Sequence, residues 1–527
     1  MARHTRGSGT FEGPTTQAAA RAVDELALAV LAVPGPLQLA ILDHLEEHDK
    51  MSLGSTCTSL RRASLSWFPE VTVEVVGKTD VASLAAWLER HQACLHLINK
   101  LGDSDDAVRY EALEAKWNDS LQALPSSLVA SLCLLTHDYH APVPAVVSTF
   151  TALKQLEFGA LDEEREQDSD EYDNVPHSFS THHLRPLTRL IALDLLGIDV
   201  GGNAEELLSL PALSGLQELR LFRCNLDEVP QSLSALQQLS FLNLSENRIQ
   251  NTAPLATLQR VQIVDLSRCG LTAVPAQLAA LTAVTMLDLS ENPDILDRGW
   301  RHLLLLKQMR DLNMRDCGLA AVPEQLAAMT ALTKLDLSYH ELAGGWQHLM
   351  FLTQLLDLQL YCCGLTTVPE QVSALTALTS LELCANEEIL DRGWQHLLPL
   401  SRLCGLYLQC CGLTAVPEQL SALTALTCLY LSSNEQLAGG WQHLARLTRL
   451  QELQLSGCGL AALPEQLSVL TALTSLNLAH NHQLAGGWQH LLPLVQLRVL
   501  NLYDLPLLEG QAPTELAALP PQLRITS

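Results

Sequence analysis

Cysteine and histidine, which can bind metals or (for cysteine) form disulfides, recur along this chain at a nearly constant interval. Six cysteines follow one another at steps of 45, 48, 46, 48 and 47 residues: Cys224, Cys269, Cys317, Cys363, Cys411 and Cys458. Five histidines, each two residues after a tryptophan, share this interval: His302, His348, His396, His443 and His490. These residues therefore belong to an internal repeat, whose elements decide what chemistry is within reach.

Each period contains two similar halves of about 23 residues, and both halves open with the pattern L-x-x-L-x-L, as at Leu355 and Leu378. The alternation x-L-x-L-x predicts a short strand whose leucines point inward while the x positions face solvent. The return segments, which begin near Val322 and Gly393, predict short helices, with Pro323 at the first helical position. Because one unit cannot enclose its own leucines, stacking of units must supply the core.

The pattern L-x-x-L-x-L-x-x-(N/C)-x-L, which covers residues 187–502, resembles the leucine-rich repeat family, and thirteen units begin between Leu216 and Leu497. The resemblance implies an α/β solenoid shaped like a horseshoe, with one parallel strand per repeat on its concave face. It also implies that residues such as Cys317 and Asn292 satisfy backbone groups where the chain leaves the strand.

The repeat spacing argues against metal binding and disulfides within the cysteine and histidine series. Neighbouring strands lie about 4.8 Å apart, so equivalent residues two units apart are separated by about 10 Å. Zinc ligands must lie within about 2.3 Å of one point, and disulfides need Cα atoms within about 7 Å of each other. We therefore expect no metal and no cofactor, cysteines that act as small core residues, and tryptophan and histidine side chains that pack on the outer face.

Residues 33–64 do not follow the repeat. Leucine and isoleucine at helical spacing, a break, and an N-cap residue for a second helix at Asp49 predict a helical hairpin with one apolar face. The segment resembles an F-box, with matching residues at Val33, Pro34, Leu37, Ile41, Leu42, Leu45, Asp49, Leu53 and Cys57. It departs from that pattern at Lys50, Thr56 and Leu60.

The F-box resemblance implies that this module docks a Skp-type adaptor, which connects it to a cullin scaffold and the ubiquitin-conjugating machinery. The residues expected to contact the adaptor are Pro34, Leu37, Ile41, Leu42 and Leu45. The alternative is that the hairpin only caps the apolar end of the solenoid.

The sequence thus predicts five segments. They are a flexible tail (1–25), an F-box-like helical module (26–75), a linker with degenerate repeats and an acidic loop at 162–173 (76–186), the repeat solenoid (187–505) and a C-terminal cap (506–527).

Variation among the internal copies gathers at the solvent-facing strand positions, which favours these positions for binding a protein partner. An aromatic and acidic patch is expected to bind that partner and to favour a basic segment on it: Tyr361, Glu382, Tyr407, Tyr430, Asp288 and Asp336. A second, apolar candidate is Phe222, Phe241, Ile263 and Met286. The alternative is that duplicated strands tolerate any surface residue.

Charge and motifs exclude several classes of function. With 32 Lys and Arg against 58 Asp and Glu, the net charge is −26, which disfavours nucleic acid and anionic membranes. No apolar run is long enough to span a bilayer, no secretory signal is evident, and phosphate-binding and nucleophile-elbow motifs are absent. We therefore expect a soluble, non-catalytic protein of the cytoplasm and/or nucleus.

The leading interpretation is a substrate-recognition subunit of a cullin-RING ubiquitin ligase, which holds a target on the concave face. One alternative is a repeat scaffold or signalling regulator that binds small GTPases or a phosphatase. Another is a GTPase-activating role, for which Arg220 or Arg315 would be the candidate residue.

Overall fold

The computed structural model describes residues 70–75, 81–91, 94–99, 121–136, 143–160, 181–389, 392–506, 515 and 523–526. The residues predicted to dock an adaptor, from Pro34 to Leu45, lie outside this described part of the chain, as do the tail at 1–25 and the acidic loop at 162–173. Within the described residues, no helix has the length and apolar character needed to cross a membrane. The chain divides into two units, the first running to Asn174 and including Ser180–Leu193, and the second containing Asp194–Leu210 and Ser214–Ser527.

In the first unit, short parallel strands alternate with helical segments. The strands are β1 (Glu70–Val75), β2 (Cys94–Asn99), β3 (Val129–Thr136) and β4 (Gln155–Ala160), each paired in parallel with the next. The helices are α1 (Val81–His91) and the 3₁₀ segments Ala145–Thr149, Thr181–His183 and Pro211–Leu213. In α1, Val81, Ala85 and Leu88 form the buried side, at the four- and three-residue spacing of an amphipathic helix.

Residues 70–75 correct one predicted boundary. The sequence predicts that they end a helical module (26–75), but they form strand β1 and pair in parallel with β2. The physical reason is the sequence EVTVEV, in which β-branched residues alternate with charged ones and suit a strand better than a helix.

In the second unit, each repeat contributes one three-residue parallel strand. Strand β5 (Ala192–Leu196) includes the division between the units at Leu193. The strands that follow are β6 (Glu218–Arg220), β7 (Phe241–Asn243), β8 (Ile263–Asp265), β9 (Met286–Asp288), β10 (Asp311–Asn313), β11 (Lys334–Asp336), β12 (Asp357–Gln359), β13 (Ser380–Glu382), β14 (Gly405–Tyr407), β15 (Cys428–Tyr430), β16 (Glu452–Gln454), β17 (Ser475–Asn477), β18 (Val499–Asn501) and β19 (Arg524–Thr526). From β6 onward each strand pairs in parallel with the next, so β6 to β18 confirm the thirteen predicted units. The segment predicted as a C-terminal cap adds one more parallel strand, β19.

Apart from one short α-helix, α2 (Ala204–Leu208), the return segments of the second unit are 3₁₀-helices. They are Gly201–Asn203, Gln231–Ala235, Ala253–Thr257, Ala276–Ala280, Trp300–Leu305, Glu324–Ala328, Trp346–Phe351, Glu370–Ala374, Trp394–Leu397, Glu418–Ala422, Trp441–Arg446, Glu465–Val469 and Trp488–Leu491.

The two halves of each period enter these helices differently. Pro323 does not occupy the first helical position as predicted, because its ψ of 136° is extended and the helix begins at Glu324. In the other half the preceding residue is glycine, as at Gly345 with φ of 80°. A Cβ there would lie 2.3 Å from the carbonyl oxygen of Val322, so the turn requires glycine.

The interior of the second unit contains a ladder of buried polar side chains among the leucines. The ladder asparagines are Asn247, Asn292, Asn386, Asn434 and Asn481, each no more than 3% exposed. Asn292 accepts hydrogen bonds from the backbone N–H groups of Cys269 and Leu271 and donates to two carbonyls. The thiol of Cys317 lies 3.1 Å from the carbonyl oxygen of Leu289 and donates to it. The role that the family resemblance implied for Asn292 and Cys317 is therefore confirmed.

The six repeated cysteines are buried, which makes their thiols poorly reactive. All thirteen cysteines that the structure describes are free thiols. Burial raises the pKa of Cys363 and Cys411 to about 12, so these thiols stay protonated at neutral pH. Their sequence neighbours Cys362 and Cys410 are exposed and partly exposed, and both follow a strand with a positive φ.

Candidate protein-binding face

The outer residues of strands β6 to β19 form one surface, which we call the strand face. In most of these strands the middle residue is buried and the first and third are partly exposed. The third residues form a row in register: Arg220, Asn243, Asp265, Asp288, Asn313, Asp336, Gln359, Glu382, Tyr407, Tyr430, Gln454, Asn477, Asn501 and Thr526. The predicted position between the two inward leucines is therefore the position that the strand face presents.

Tyr407 and Tyr430 form an aromatic pair in this row, and together with Glu452 we call them the aromatic patch. Their rings meet edge to face, with centroids 4.9 Å apart. The Tyr430 hydroxyl donates a 2.9 Å hydrogen bond to Glu452, and burial together with this carboxylate raises the pKa of Tyr430 to about 12. The patch therefore presents uncharged phenol rings beside a carboxylate.

Gly405, two residues before Tyr407 in β14, provides the space for the first ring. A Cβ at Gly405 would lie 3.2 Å from the Tyr407 hydroxyl oxygen and from its Cε2 atom. The ring thus lies across its own strand, and a larger residue at Gly405 would push it away.

Tyr361 belongs to a different aromatic pair from the one predicted. Its ring packs against Tyr339, with centroids 5.0 Å apart, and the Arg315 guanidinium lies 4.1 Å from the Tyr339 ring centroid. Glu382 lies in β13, in register with Tyr407 on one side and Gln359 on the other. The single patch expected from the sequence is therefore two aromatic pairs, with Glu382 on the strand between them.

Two of the predicted partner-binding carboxylates accept hydrogen bonds from the backbone just after their own strands. Oδ1 of Asp288 accepts hydrogen bonds from the backbone N–H and the hydroxyl of Ser290, and its Oδ2 accepts from Asn313. Asp336 accepts from the backbone N–H of Ser338 and is only 7% exposed. Asp336 therefore offers little surface to a partner, which corrects its assignment as an exposed binding residue.

This structural use of aspartate was missed from the sequence, although the signal was present. Aspartate side chains commonly bond the backbone two residues further on, and the triplet D-L-S occurs at Asp265, Asp288 and Asp336. At each of these positions one carboxylate oxygen is used within its own repeat.

The middle of the strand face concentrates negative charge. We call the six carboxylates of β8 to β13 the acidic row: Asp265, Asp288, Asp311, Asp336, Asp357 and Glu382. Burial, followed by repulsion from neighbouring carboxylates, raises the pKa of Asp265 and Glu382, and the same causes raise the pKa of Asp311 despite Lys334. A cation placed against this row would relieve that repulsion.

Three of the four residues of the second, apolar candidate surface lie next to one another. Phe241, Ile263 and Met286 lie side by side at the first positions of β7, β8 and β9, and Met286 is 37% exposed. Phe222 is not part of this row, because it follows β6, and its carbonyl accepts a hydrogen bond from Gly197.

Both arginines considered for a GTPase-activating role already have partners. The Arg220 guanidinium contacts Glu218 at 3.1 Å and the Phe241 ring centroid at 4.1 Å. That of Arg315 lies over Tyr339. Either side chain would have to leave these contacts to reach a nucleotide.

Comparisons with known proteins identify the fold. No family model matches the chain, and no curated protein matches it. Among solved structures, the TLR13–ssRNA13 complex aligns at a TM-score of 0.54 and 21% identity, over 83% of this chain and 62% of that one. An internalin of Listeria monocytogenes, InlF, aligns at a TM-score of 0.41 and 20% identity, over 60% of this chain and 82% of that one.

A leucine-rich repeat protein of Leptospira interrogans is also similar, with a TM-score of 0.39 and 21% identity, over 66% of this chain and 92% of that one. The chain spans less than two thirds of TLR13. Its repeating strand and 3₁₀-helix units, with the likeness to TLR13, define a leucine-rich repeat solenoid.

Proposed function

We propose that this chain is a non-catalytic receptor that binds a protein partner on its strand face. The observation that carries the proposal is the Tyr407–Tyr430 pair, two partly exposed rings 4.9 Å apart on a rigid row of strands. Exposed tyrosines with little conformational freedom are favoured anchors of protein interfaces. The leucine and asparagine interior fixes the strands, so binding would require little reorganisation of the backbone.

The neighbouring charge favours a partner with a basic segment. Three carboxylates surround the two tyrosines. Burial and neighbouring carboxylates raise the pKa of Glu382, while Asp357 contributes to the raised pKa of Tyr407 and Glu452 to that of Tyr430. A lysine or arginine on the partner would pair with them while an apolar side chain packs on the rings. TLR13 was solved with single-stranded RNA, whereas the net charge of −26 here opposes a phosphate backbone.

A peptide selection tests this proposal. Displayed random peptides would be selected on the purified chain and then measured against a Tyr407→Ala, Tyr430→Ala double variant. We expect the selected peptides to be rich in Lys or Arg. They should bind the variant at least about ten-fold more weakly than the wild type, since tyrosines at interface hot spots contribute about 2 kcal/mol or more. The matched control is Asn477→Ala on the same row, which should leave the affinity unchanged. Equal affinity for wild type and double variant would contradict the proposal.

The more specific proposal is that this receptor is the substrate-recognition subunit of a Skp-cullin-F-box type ubiquitin ligase. Its support is the resemblance of residues 33–64 to an F-box and their position before the repeats. In this proposal Pro34, Leu37, Ile41, Leu42 and Leu45 dock the adaptor, and the strand face holds the target near the conjugating enzyme. The chain would act where such ligases act, in the cytoplasm and/or nucleus.

Binding to a purified Skp-type adaptor tests this part separately. We expect micromolar or tighter binding by the wild type and its loss in a Leu37→Asp, Ile41→Asp double variant that keeps its circular dichroism spectrum. The tyrosine double variant serves as the control and should bind the adaptor as the wild type does. Absence of binding to several adaptors would remove the ligase assignment and leave the alternative of a repeat scaffold or signalling regulator. Unchanged GTP hydrolysis by small GTPases in the presence of the chain would remove the GTPase-activating role.

A further inference from the structure

Two histidines and an aspartate converge on one point near the end of the strand face. Within the residues that the structure describes, His480, His482 and Asp504 form a group of three side chains whose ligand atoms all lie within 4.8 Å of one another. His480 Nδ1 and His482 Nε2 each lie 2.9 Å from the same oxygen, Oδ2 of Asp504. All three side chains are exposed, so an ion from solvent can reach them.

The repeat framework fixes the distance between these side chains. His480 and Asp504 follow the neighbouring strands β17 and β18 at equivalent positions, both in the left-handed region with φ of 55° and 54°. The backbone N–H of His480 donates a 3.0 Å hydrogen bond to the carbonyl of Tyr503, directly before Asp504. Side chains at this repeated position therefore meet across adjacent repeats.

The same position elsewhere shows that it brings interacting side chains together. Arg268, also with positive φ, contacts Glu246 at 3.0 Å and Glu291 at 2.6 Å, one repeat to each side. In the repeats that contain β17 and β18, the same position brings together a histidine and an aspartate instead, and His482 completes the group.

These three groups match the ligands of a zinc-type ion. Zinc prefers imidazole nitrogen and carboxylate oxygen at about 2.0 to 2.2 Å, which places tetrahedral ligand atoms roughly 3.3 to 3.6 Å apart. The observed separations, 2.9 Å to the shared oxygen and at most 4.8 Å within the group, bracket that range. Small rotations of exposed side chains would bring all three atoms to one ion.

We propose that His480, His482 and Asp504 bind a single divalent ion of the zinc class, where the repeat that contains β17 meets the repeat that contains β18. Three protein ligands leave the fourth tetrahedral position open to water. The ion would replace the protons that now bridge the imidazoles and the carboxylate, and it would tie the segment after β17 to the segment after β18. This site is separate from the Tyr407–Tyr430 pair, which lies on β14 and β15.

Sequence reasoning missed this group because it considered only the histidines that repeat with the 47-residue period. The available signal was the triplet His-Asn-His at residues 480–482, which places two imidazoles close together outside that series. Asp504 could not be joined to them without the pairing of β17 with β18.

Zinc binding to the full-length chain tests the proposal. Zinc chloride alone would be titrated into the reduced protein, in parallel with His482→Gln and Asp504→Asn, and followed by equilibrium dialysis and thermal unfolding. The matched control is a His182→Gln, His183→Gln double variant, because these two rings are also in contact, with centroids 5.6 Å apart. The exposed cysteines remain in every variant and so contribute the same background.

We expect wild type and control to bind one more equivalent of zinc than either site variant, or to bind it at least ten-fold more tightly. Zinc should also raise the unfolding temperature of wild type and control more than that of the site variants, since an ion that binds only the folded state stabilises it. Identical stoichiometry, affinity and thermal shift in wild type and both site variants would overturn the proposal. His482 is 61% exposed at its side chain, so His482→Gln should fold normally, and Asp504→Asn provides a second variant of nearly unchanged size.

Discussion

Asn434 and Tyr430 lie four residues apart in the same repeat, and their surroundings differ in almost every respect. Asn434 is 1% exposed and bonds four backbone groups, accepting from Cys411 and Leu413 and donating to Leu408 and Leu431. Tyr430 is partly exposed on the strand face, and its hydroxyl makes one hydrogen bond, to Glu452. The first residue type recurs in the ladder asparagines, whereas the residue at the second position changes from repeat to repeat.

This difference shows how the repeat separates stability from recognition. The ladder satisfies backbone groups that would otherwise be buried without partners, so its residues are constrained by the fold. The third strand positions have weaker structural demands, except where an aspartate or an asparagine bonds its own strand end, as at Asp288 and Asn477. Function can therefore vary along the strand face without a cost to the interior.

The largest expected effect is the loss of stability when a ladder asparagine is replaced. Asn434→Ala removes four backbone hydrogen bonds in a buried site, so we expect a loss of about 3 to 5 kcal/mol in the free energy of unfolding. Asn477→Ala, on the strand face, removes one bond to the backbone N–H of Ala479 and should cost less than about 1 kcal/mol. Urea unfolding of both variants measures the contrast, and equal losses would show that the two regions do not differ in this way.

A smaller, pH-dependent effect is expected where histidine replaces a ladder asparagine. His340 is 4% exposed, accepts from the backbone N–H of Cys317 at Nε2 and contacts the carbonyl of Leu337 through Nδ1. Burial lowers its pKa, although the Leu337 carbonyl and the carboxylates of Asp316 and Asp336 act in the opposite direction. Protonation at Nε2 would remove the bond from Cys317.

Because the folded pKa of His340 lies below its unfolded value of about 6.5, the unfolded chain takes up the proton first. The stability that neutral His340 contributes is therefore fully present above about pH 6.5 and is lost as the pH falls through the folded pKa. Urea midpoints at pH 7.5 and 5.0 should fall further for wild type than for His340→Asn. The comparison with this variant isolates the histidine from carboxylates such as Asp265, Asp311 and Glu382, whose raised pKa values act in the opposite direction. An equal fall in both proteins would count against this role.

The smallest effect is expected on the aromatic patch. Tyr430→Phe removes the hydrogen bond to Glu452 but keeps the ring, so we expect a change in unfolding free energy below about 1 kcal/mol for this partly exposed pair. Gly405→Ala should likewise leave the urea midpoint nearly unchanged while displacing the Tyr407 ring. Binding of a selected basic peptide should then weaken for Gly405→Ala more than for Tyr430→Phe. A large loss of stability in either variant would contradict this expectation, because it would show that the patch contributes to stability as the interior does.

The sequence was sufficient for the repeats because their information is local. Leucine at alternate positions and a period of two half-units predict strand, return segment and stacking, and the thirteen strands β6 to β18 follow that register. It was less sufficient at β1, where the alternating valines of EVTVEV were assigned to a helical module. It also placed Pro323 inside a helix that begins one residue later.

For the candidate site, the sequence determined which side chains face outward and that Tyr407 and Tyr430 are neighbours, since both follow from strand periodicity and parallel register. Only the tertiary structure decided that Tyr361 pairs with Tyr339, that Asp336 is buried, and that Asp504 meets His480 and His482. The reason is physical: periodicity fixes the direction of a Cα–Cβ bond, whereas side-chain rotation and hydrogen bonding to neighbouring repeats decide where the end of that side chain lies.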